Sequence, residues 1–237
     1  MIGFGTLLNG AGIVLGGILG AFFGKKVSER YRESLMNACG VSVLFIGIGG
    51  AMEKMLSVTE NGLASGSTML LVLSLALGAL LGEFINIEHY IEKFGTWLKR
   101  KTGSESDAGF VDGFVSASFT VCIGAMAIVG AVNDGISGDY SILAAKSLLD
   151  AIVILIMTAS MGKGCIFSAI PVVLLQGTVT LLARLSSVLL TDGAIFNLSL
   201  VGSVLVFCVG LNLVWGKKIR VANFLPAMIL AVVAAYI

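Results

Sequence analysis

Long apolar runs, each closed by a cluster of charge, dominate this chain and leave it few ways to fold. A helix needs about 20 mainly apolar residues to cross a bilayer core of roughly 30 Å. Eight stretches approach that length: Phe4 to Gly24, Ala38 to Met55, Ser67 to Ile85, Phe114 to Val132, Ser141 to Met161, Cys165 to Leu185, Asn197 to Trp215 and Val221 to Ile237. The pattern predicts an all-α, polytopic transmembrane bundle of about eight spans, the last the shortest. Composition agrees, with 57% of residues hydrophobic and 12% charged, against roughly 45 to 50% and about 25% in soluble domains. No positive residue precedes the first run. It therefore lacks the charged start of a cleaved signal and reads as a retained span.

Charge placement sets an expected orientation. The loops after spans one, three, five and seven carry Lys25, Lys26, Arg30, Arg32, Lys93, Lys99, Arg100, Lys101, Lys163, Lys217, Lys218 and Arg220. The opposite side receives only Lys54 and Arg184. Lys and Arg gather on the cytoplasmic side of inner-membrane proteins, so both termini are expected outside the cytoplasm. The net charge of +1 gives no footprint for nucleic acid. The natural partner is the lipid bilayer.

The expected organisation is one membrane domain over 1–237. Spans one to three (4–85) and six to eight (165–237) share an outline, and Gly40-Val-Ser-Val-Leu-Phe resembles Gly202-Ser-Val-Leu-Val-Phe in texture. Five spans separate equivalents, so the two triplets would form an inverted repeat, a common plan in secondary transporters. Residues 114–161 form the central hairpin. Between spans three and four, Phe84, Ile87, Ile91, Phe94 and Leu98 recur at helical spacing beside Trp97, which predicts a cytoplasmic amphipathic helix in the interface. Gly12, Gly16, Gly20 and Gly24 stand four residues apart in span one. That smooth face serves either packing within the chain or a homodimer seam.

Ionisable groups at membrane depth are costly and mark function or pairing. Span five holds two, Lys146 and Asp150, one helical turn apart. They can pair within their own helix, as a fixed strut or as a site where a solute competes for Asp150. The preceding connection, Asn133-Asp134-Gly135-Ile136-Ser137-Gly138-Asp139, offers Asn133, Asp134 and Asp139 as a cation-attracting outer mouth or as an ordinary turn. Span six supplies Ser168, Pro171, Gln176, Thr178 and Thr180, with Gln176 near mid-membrane. Asn9 and Asn212 are isolated amides, suited to interhelical glue.

The chain has one histidine, His89, and no H-E-x-x-H, G-x-S-x-G or phosphate-loop motif. Its four cysteines, Cys39, Cys122, Cys165 and Cys208, stand singly. Neither enzyme chemistry nor a metal or cofactor is expected.

The segment Cys122-Ile-Gly-Ala-Met-Ala-Ile-Val-Gly-Ala, with Asp134-Gly, Gly138-Asp139, Lys146-Ser147, Asp150, Ser168-Ala-Ile-Pro171, Gln176-Gly177 and the opening Gly5-Thr-Leu-Leu-Asn-Gly, resembles the YqgA/YdfK-like family of bacterial inner-membrane proteins. The resemblance covers essentially the whole chain. It implies a bacterial cytoplasmic membrane and supplies no residue roles. The residues themselves lead to the expectation of a small secondary transporter or channel-like permease for an ion or polar solute, with Asp150 and Lys146 at its centre, Gln176 and Asn9 as neutral ligands, and Asn133, Asp134 and Asp139 at its outer mouth. The competing expectation is a membrane scaffold or assembly protein that acts through its glycine faces.

Overall fold

Helix α1 (Phe4–Gly24) lies so close along α7 (Ser141–Met161) that their backbones touch. A Cβ at Gly12 would meet Ser147, one at Gly16 would overlap the Ala151 carbonyl oxygen, and those at Gly20 and Gly24 would strike Leu155 and Ala159. Both numberings rise together, so the two helices run parallel. The glycine stripe is thus spent inside the chain, and α7 occupies the face that a homodimer seam would need. The other side of α1 turns Leu7, Leu15, Ile18 and Phe22 outward, an apolar surface suited to lipid.

The structure, a computed structural model, describes residues 2–24, 28–60, 62–122, 125–185 and 191–236. Lys25 and Lys26 of the first basic loop, Ile123-Gly124 of the fourth apolar run, and Ile237 lie outside them. After α1 come α2 (Glu29–Met55), an exposed antiparallel hairpin of β1 (Leu56–Thr59) and β2 (Gly62–Ser65), α3 (Thr68–Ile85) and α4 (Ile87–Lys101). Next are α5 (Phe110–Cys122), α6 (Ala125–Ser137) and α7. A 3-10 turn, Lys163–Ser168, leads into α8 (Ala169–Leu185); α9 (Asp192–Trp215) follows, and a second such turn, Val221–Phe224, opens α10 (Leu225–Val233).

Helix pairing follows small residues throughout. Helix α2 runs antiparallel to α9, with Gly40 against Leu213 and Val214, Gly47 against Phe207 and Gly50 against Ser203. Helices α3 and α10 are also antiparallel, with Gly78 on Ala227 and Gly82 on Asn223. Helix α8 crosses α1 in the same sense, Gly10 beside Val173 and Gly17 beside Ile166. Lipid tails give helices no hydrophobic reason to associate, so close backbone approach and the dispersion contacts it permits hold such pairs together.

The all-α polytopic bundle is as expected, but two spans differ in form. Among the described residues, six single segments are long and apolar enough to cross a membrane. The fourth expected span is two 13-residue helices, α5 and α6, bent by 59° across residues 123–124, and it makes a seventh crossing if the pair is one broken span. The eighth expected span is a short apolar run, Val221–Tyr236, whose 3-10 start and few residues leave it below the roughly 30 Å of a bilayer core.

Helix α4 is the expected amphipathic segment. Glu88, Gly95 and Leu98 face inward, with Leu98 packed on Phe110 and Phe114. Tyr90, Phe94 and Trp97 remain exposed, the last two stacked with ring centroids 5.6 Å apart. Amphipathic aromatic rings of this kind favour the headgroup level.

Gly16→Ala should lower stability by about 1–3 kcal/mol, because the Ala151 carbonyl cannot retreat without parting α1 from α7. Gly49→Ala, where an added Cβ meets nothing within 4 Å, should be neutral or gain up to about 1 kcal/mol from helix propensity. Unfolding midpoints of the two variants in one detergent test the contrast.

Candidate functional site

Helix α7 carries Lys146 and Asp150 on one face, with Nζ to Oδ1 at 2.8 Å and each side chain only 8% exposed. Asp150 is ten residues into a helix of 21, which puts it about 14 Å along a rod of about 31 Å. The two carboxylate oxygens are not equivalent. Oδ1 takes the lysine, and Oδ2 is buried without a hydrogen bond.

Other buried polar atoms share that condition. Both amide atoms of Asn9, both of Gln176, and the hydroxyls of Thr6 and Thr180 have no partner among the described residues. Asn9 borders the Asp150 carboxyl without a formed bond. The Ser147 hydroxyl donates to the Leu8 carbonyl at 2.9 Å, which sets Asn9 at the height of Lys146 and Asp150. The α1–α8 crossing, Gly10 at Val173, sets Thr6 close to the height of Gln176. On α1 and α7 the Asn9 amide and the Lys146–Asp150 pair form one polar band, whereas Thr6 and Gln176 lie about level with the start of α7 and Thr180 lies beside Gly135 toward the bundle end. A buried polar group without a bond costs roughly 1–3 kcal/mol, and each in a native fold calls for a cause such as a bound water, ion or solute.

The break between α5 and α6 stands beside this band. Cys122, the last residue of α5, lies within electrostatic reach of both Lys146 and Asp150. Broken helices in membranes occur where backbone lines a cavity or meets a ligand.

The acidic connection before α7 has a different use from an open mouth. Asp134 is fully buried, and its two oxygens accept the backbone N–H groups of Gly3 and Gly5, both at 3.1 Å. It caps the start of α1, where a negative charge also meets the positive end of the helix dipole. Asp139 is exposed and accepts from the Ser141 hydroxyl at 2.6 Å and the Ser141 N–H at 3.0 Å. Hydrogen bonds from that side chain and backbone hold its pKa below the usual carboxylate value. Asn133 is half-buried and gives its carbonyl to Ser137. Of the expected set, Asp150, Lys146 and Asn9 lie in the polar band, Gln176 is buried on α8 at the height of the start of α7, and Asn133, Asp134 and Asp139 sit at the bundle end.

A second polar cluster occupies the opposite, basic end, where α1, α3, α7 and α9 finish. Lys217 bonds Glu88 at 2.8 Å and also pairs with Glu92. Arg220 reaches Glu83 at 3.1 Å. Burial opposes the Lys217 charge, yet its bonds to Glu88 and Glu92 outweigh that and raise its pKa above the ordinary lysine value. Asn223 accepts the Glu88 N–H at 2.8 Å, closing the start of α4. Asn212 folds the loop after α9 back on its own helix, accepting from Lys218 and Ile219 N–H and donating to the Ile219 carbonyl. It is a helix-end clasp, whereas its sequence position suggested interhelical glue. His89 is exposed beside the cluster.

The buried role of Glu88 escaped the sequence reading. The signal was present, because Glu88 opens the same i, i+3, i+7, i+10 face as Ile91, Gly95 and Leu98. Above this cluster lies a cavity of about 250 Å³, lined among others by Glu88, Asp112, Ser116, Phe119 and Lys217. Neither Lys146 nor Asp150 lines it.

Comparison with known proteins places the chain in a family. Residues 4–236 match the family described as protein of unknown function, DUF554. The chain belongs to the DUF554 family. It is 28% identical over 234 residues to the uncharacterized membrane protein YdfK of Bacillus subtilis (strain 168), covering 99% of this chain and 96% of the relative. It is 32% identical over 231 residues to the uncharacterized protein YqgA of Escherichia coli (strain K12), covering 96% and 94%. No solved structure matches it. The matched length of this DUF554 chain takes in the ion pair, the broken helix and the basic-end cluster together.

Removing one member of the buried pair strands the other. Lys146→Met alone should cost about 3–5 kcal/mol, and Lys146→Met combined with Asp150→Leu should recover most of that loss. Denaturation of the single and double variants in one detergent checks both figures.

Proposed function

We propose that this DUF554 protein is a secondary transporter or channel-like permease for an ion or small polar solute, with Asp150 as its central binding group and Lys146 as the resident countercharge. The observation that carries the reading is the Asp150 Oδ2, buried at mid-helix with no formed hydrogen bond and bordered by the Asn9 amide, whose own atoms are also unsatisfied. A solute that supplies a proton or positive charge to Oδ2 would satisfy the carboxylate and loosen its hold on Lys146. That exchange is a coupling element. The protein would move its solute without making or breaking bonds.

Its place would be the bacterial cytoplasmic membrane, with the basic end in the cytoplasm and both termini outside, on the weight of the Lys and Arg distribution. The inverted-repeat reading gains support from the pairing of α1 with α8, α2 with α9 and α3 with α10, each antiparallel. The α1 and α2 ranges also overlie those of the α8 segment and α9 at similar shifts of about 160 residues. A two-fold axis in the membrane plane would relate such halves, as in alternating-access carriers.

The scaffold reading draws on a different observation, the low exposure of the pair within close-packed helices. Accessibility separates the two. With Asp150→Cys as the sole cysteine, a small water-soluble thiol reagent should label from at least one side of the membrane. No labelling from either side, with a cysteine at Asp139 labelling normally, would favour the scaffold. In vesicles holding a pH dye, imposed proton, sodium and potassium gradients should drive a flux that Asp150→Asn reduces by about tenfold or more, the effect of removing roughly 1.4 kcal/mol of favourable interaction.

A further inference from the structure

The basic-end cavity and the ion pair lie on one line along α5. Asp112, Val115, Ser116 and Phe119 all line the cavity of about 250 Å³, and they fall at i, i+3, i+4 and i+7 on one helix face. Cys122 continues that face at i+10 and lies within electrostatic reach of Lys146 and Asp150. Phe119 comes ten residues into α5, about 14 Å from its start. Its ring is 7% exposed and packed in the core cluster. Beyond it remains one helical turn to the break between α5 and α6.

We propose, resting on the transport reading above, that this cavity is the cytoplasmic vestibule of the route to Asp150 and that Phe119 is the plug sealing its inner end. The vestibule favours a small cation. Glu88 and Lys217 neutralise each other at 2.8 Å, whereas Asp112 makes no hydrogen bond or ion pair among the described residues and leaves the lining with net negative charge. Such a mouth concentrates cations, and an apolar constriction such as Phe119 excludes water until it moves. Met36 and Met161 line the same cavity. Their flexible thioethers can re-pack around a displaced ring.

Native Cys122 is the reporter. With Cys39, Cys165 and Cys208 replaced by alanine, a permanently cationic methanethiosulfonate is applied from each side of the membrane. A cysteine at Lys101 identifies the basic-end side. Ser116→Cys, in a chain also carrying Cys122→Ala, should label readily from that side. Cys122 should label slowly in the Phe119 parent and about tenfold faster in Phe119→Ala, from the basic-end side alone. Phe119→Leu, which preserves the apolar packing, should give an intermediate rate and stands in if the alanine variant fails to fold. An unchanged Cys122 rate in both folded variants, or acceleration from the opposite side, overturns the plug. So does a Ser116→Cys that does not label. Labelling does not depend on flux, so a plug that opens while Asp150→Asn leaves flux unchanged removes the binding role of Asp150 and keeps the route. Flux lost in Asp150→Asn with labelling unmoved by Phe119 variants does the reverse.

Discussion

The contact between α1 and α7 sets the geometry on which everything else depends. Four glycines remove the side-chain layer that ordinarily holds helix axes 8–10 Å apart, so the α1 backbone rests on Ser147, Ala151, Leu155 and Ala159. This registers two helices that are far apart in sequence. It brings the Asn9 amide to Asp150 and seats the α1 start on Asp134. In a bilayer no water-driven burial compensates for a poor fit, and contact at this range is the available source of attraction. The polar band is therefore a consequence of the glycine stripe. A wider α1–α7 spacing would open that band to lipid or close it with larger side chains.

That fit also explains how the fold tolerates its costly centre. A buried ion pair gains little net energy, because desolvation of both charges offsets their attraction. Here one carboxylate oxygen, two amides and two hydroxyls add unmade hydrogen bonds. Part of that cost falls on α1 and α7, where the glycine stripe brings two backbones together, and the α9 and α10 side carries unmade bonds of its own at Ser199 and Asn223.

Much of this was legible in the chain because the signals are local. Apolar run length gave the spans, the Lys and Arg clusters gave a consistent side, and spacing put Lys146 one turn from Asp150. The features that sequence left hidden depend on what meets what across the fold. Asp134 reads as a turn residue until Gly3 and Gly5 arrive from the other end of the chain. Glu88 reads as solvent-facing until Lys217 and Asn223 fold over it. The apolar run 114–132 contains the composition of a single span, and only its packing against the Lys163–Ser168 turn and α8 distinguishes two half-length helices bent by 59°. Gly124 was the sole local hint, and glycine is too common here, at 31 residues, for one more to mark a break.

The two ends of the bundle are tied by interactions of unequal strength, and this gives the molecule a direction. At the end opposite the basic cluster Asp134 is fully buried and holds two backbone donors, so releasing it would strand a carboxylate and the start of a helix together. At the basic end the Arg220–Glu83 pair is 63% and 51% exposed, and exposed pairs contribute only about 0–1 kcal/mol because water replaces the partner. Lys217 has two carboxylates within reach and can keep one while leaving the other. Its raised pKa keeps it charged through neutral pH, and the attraction fades only as pH rises through that folded value. Lys217 thus ties the α9–α10 loop to α4 through buried Glu88 as well as partly exposed Glu92, and Arg220 ties it to Glu83 of α3, whereas α1 is capped by Asp134 of α6. On the transport reading proposed above, motion that admits a solute would cost least at the exposed pairs of the basic end, with the end capped by Asp134 as the pivot.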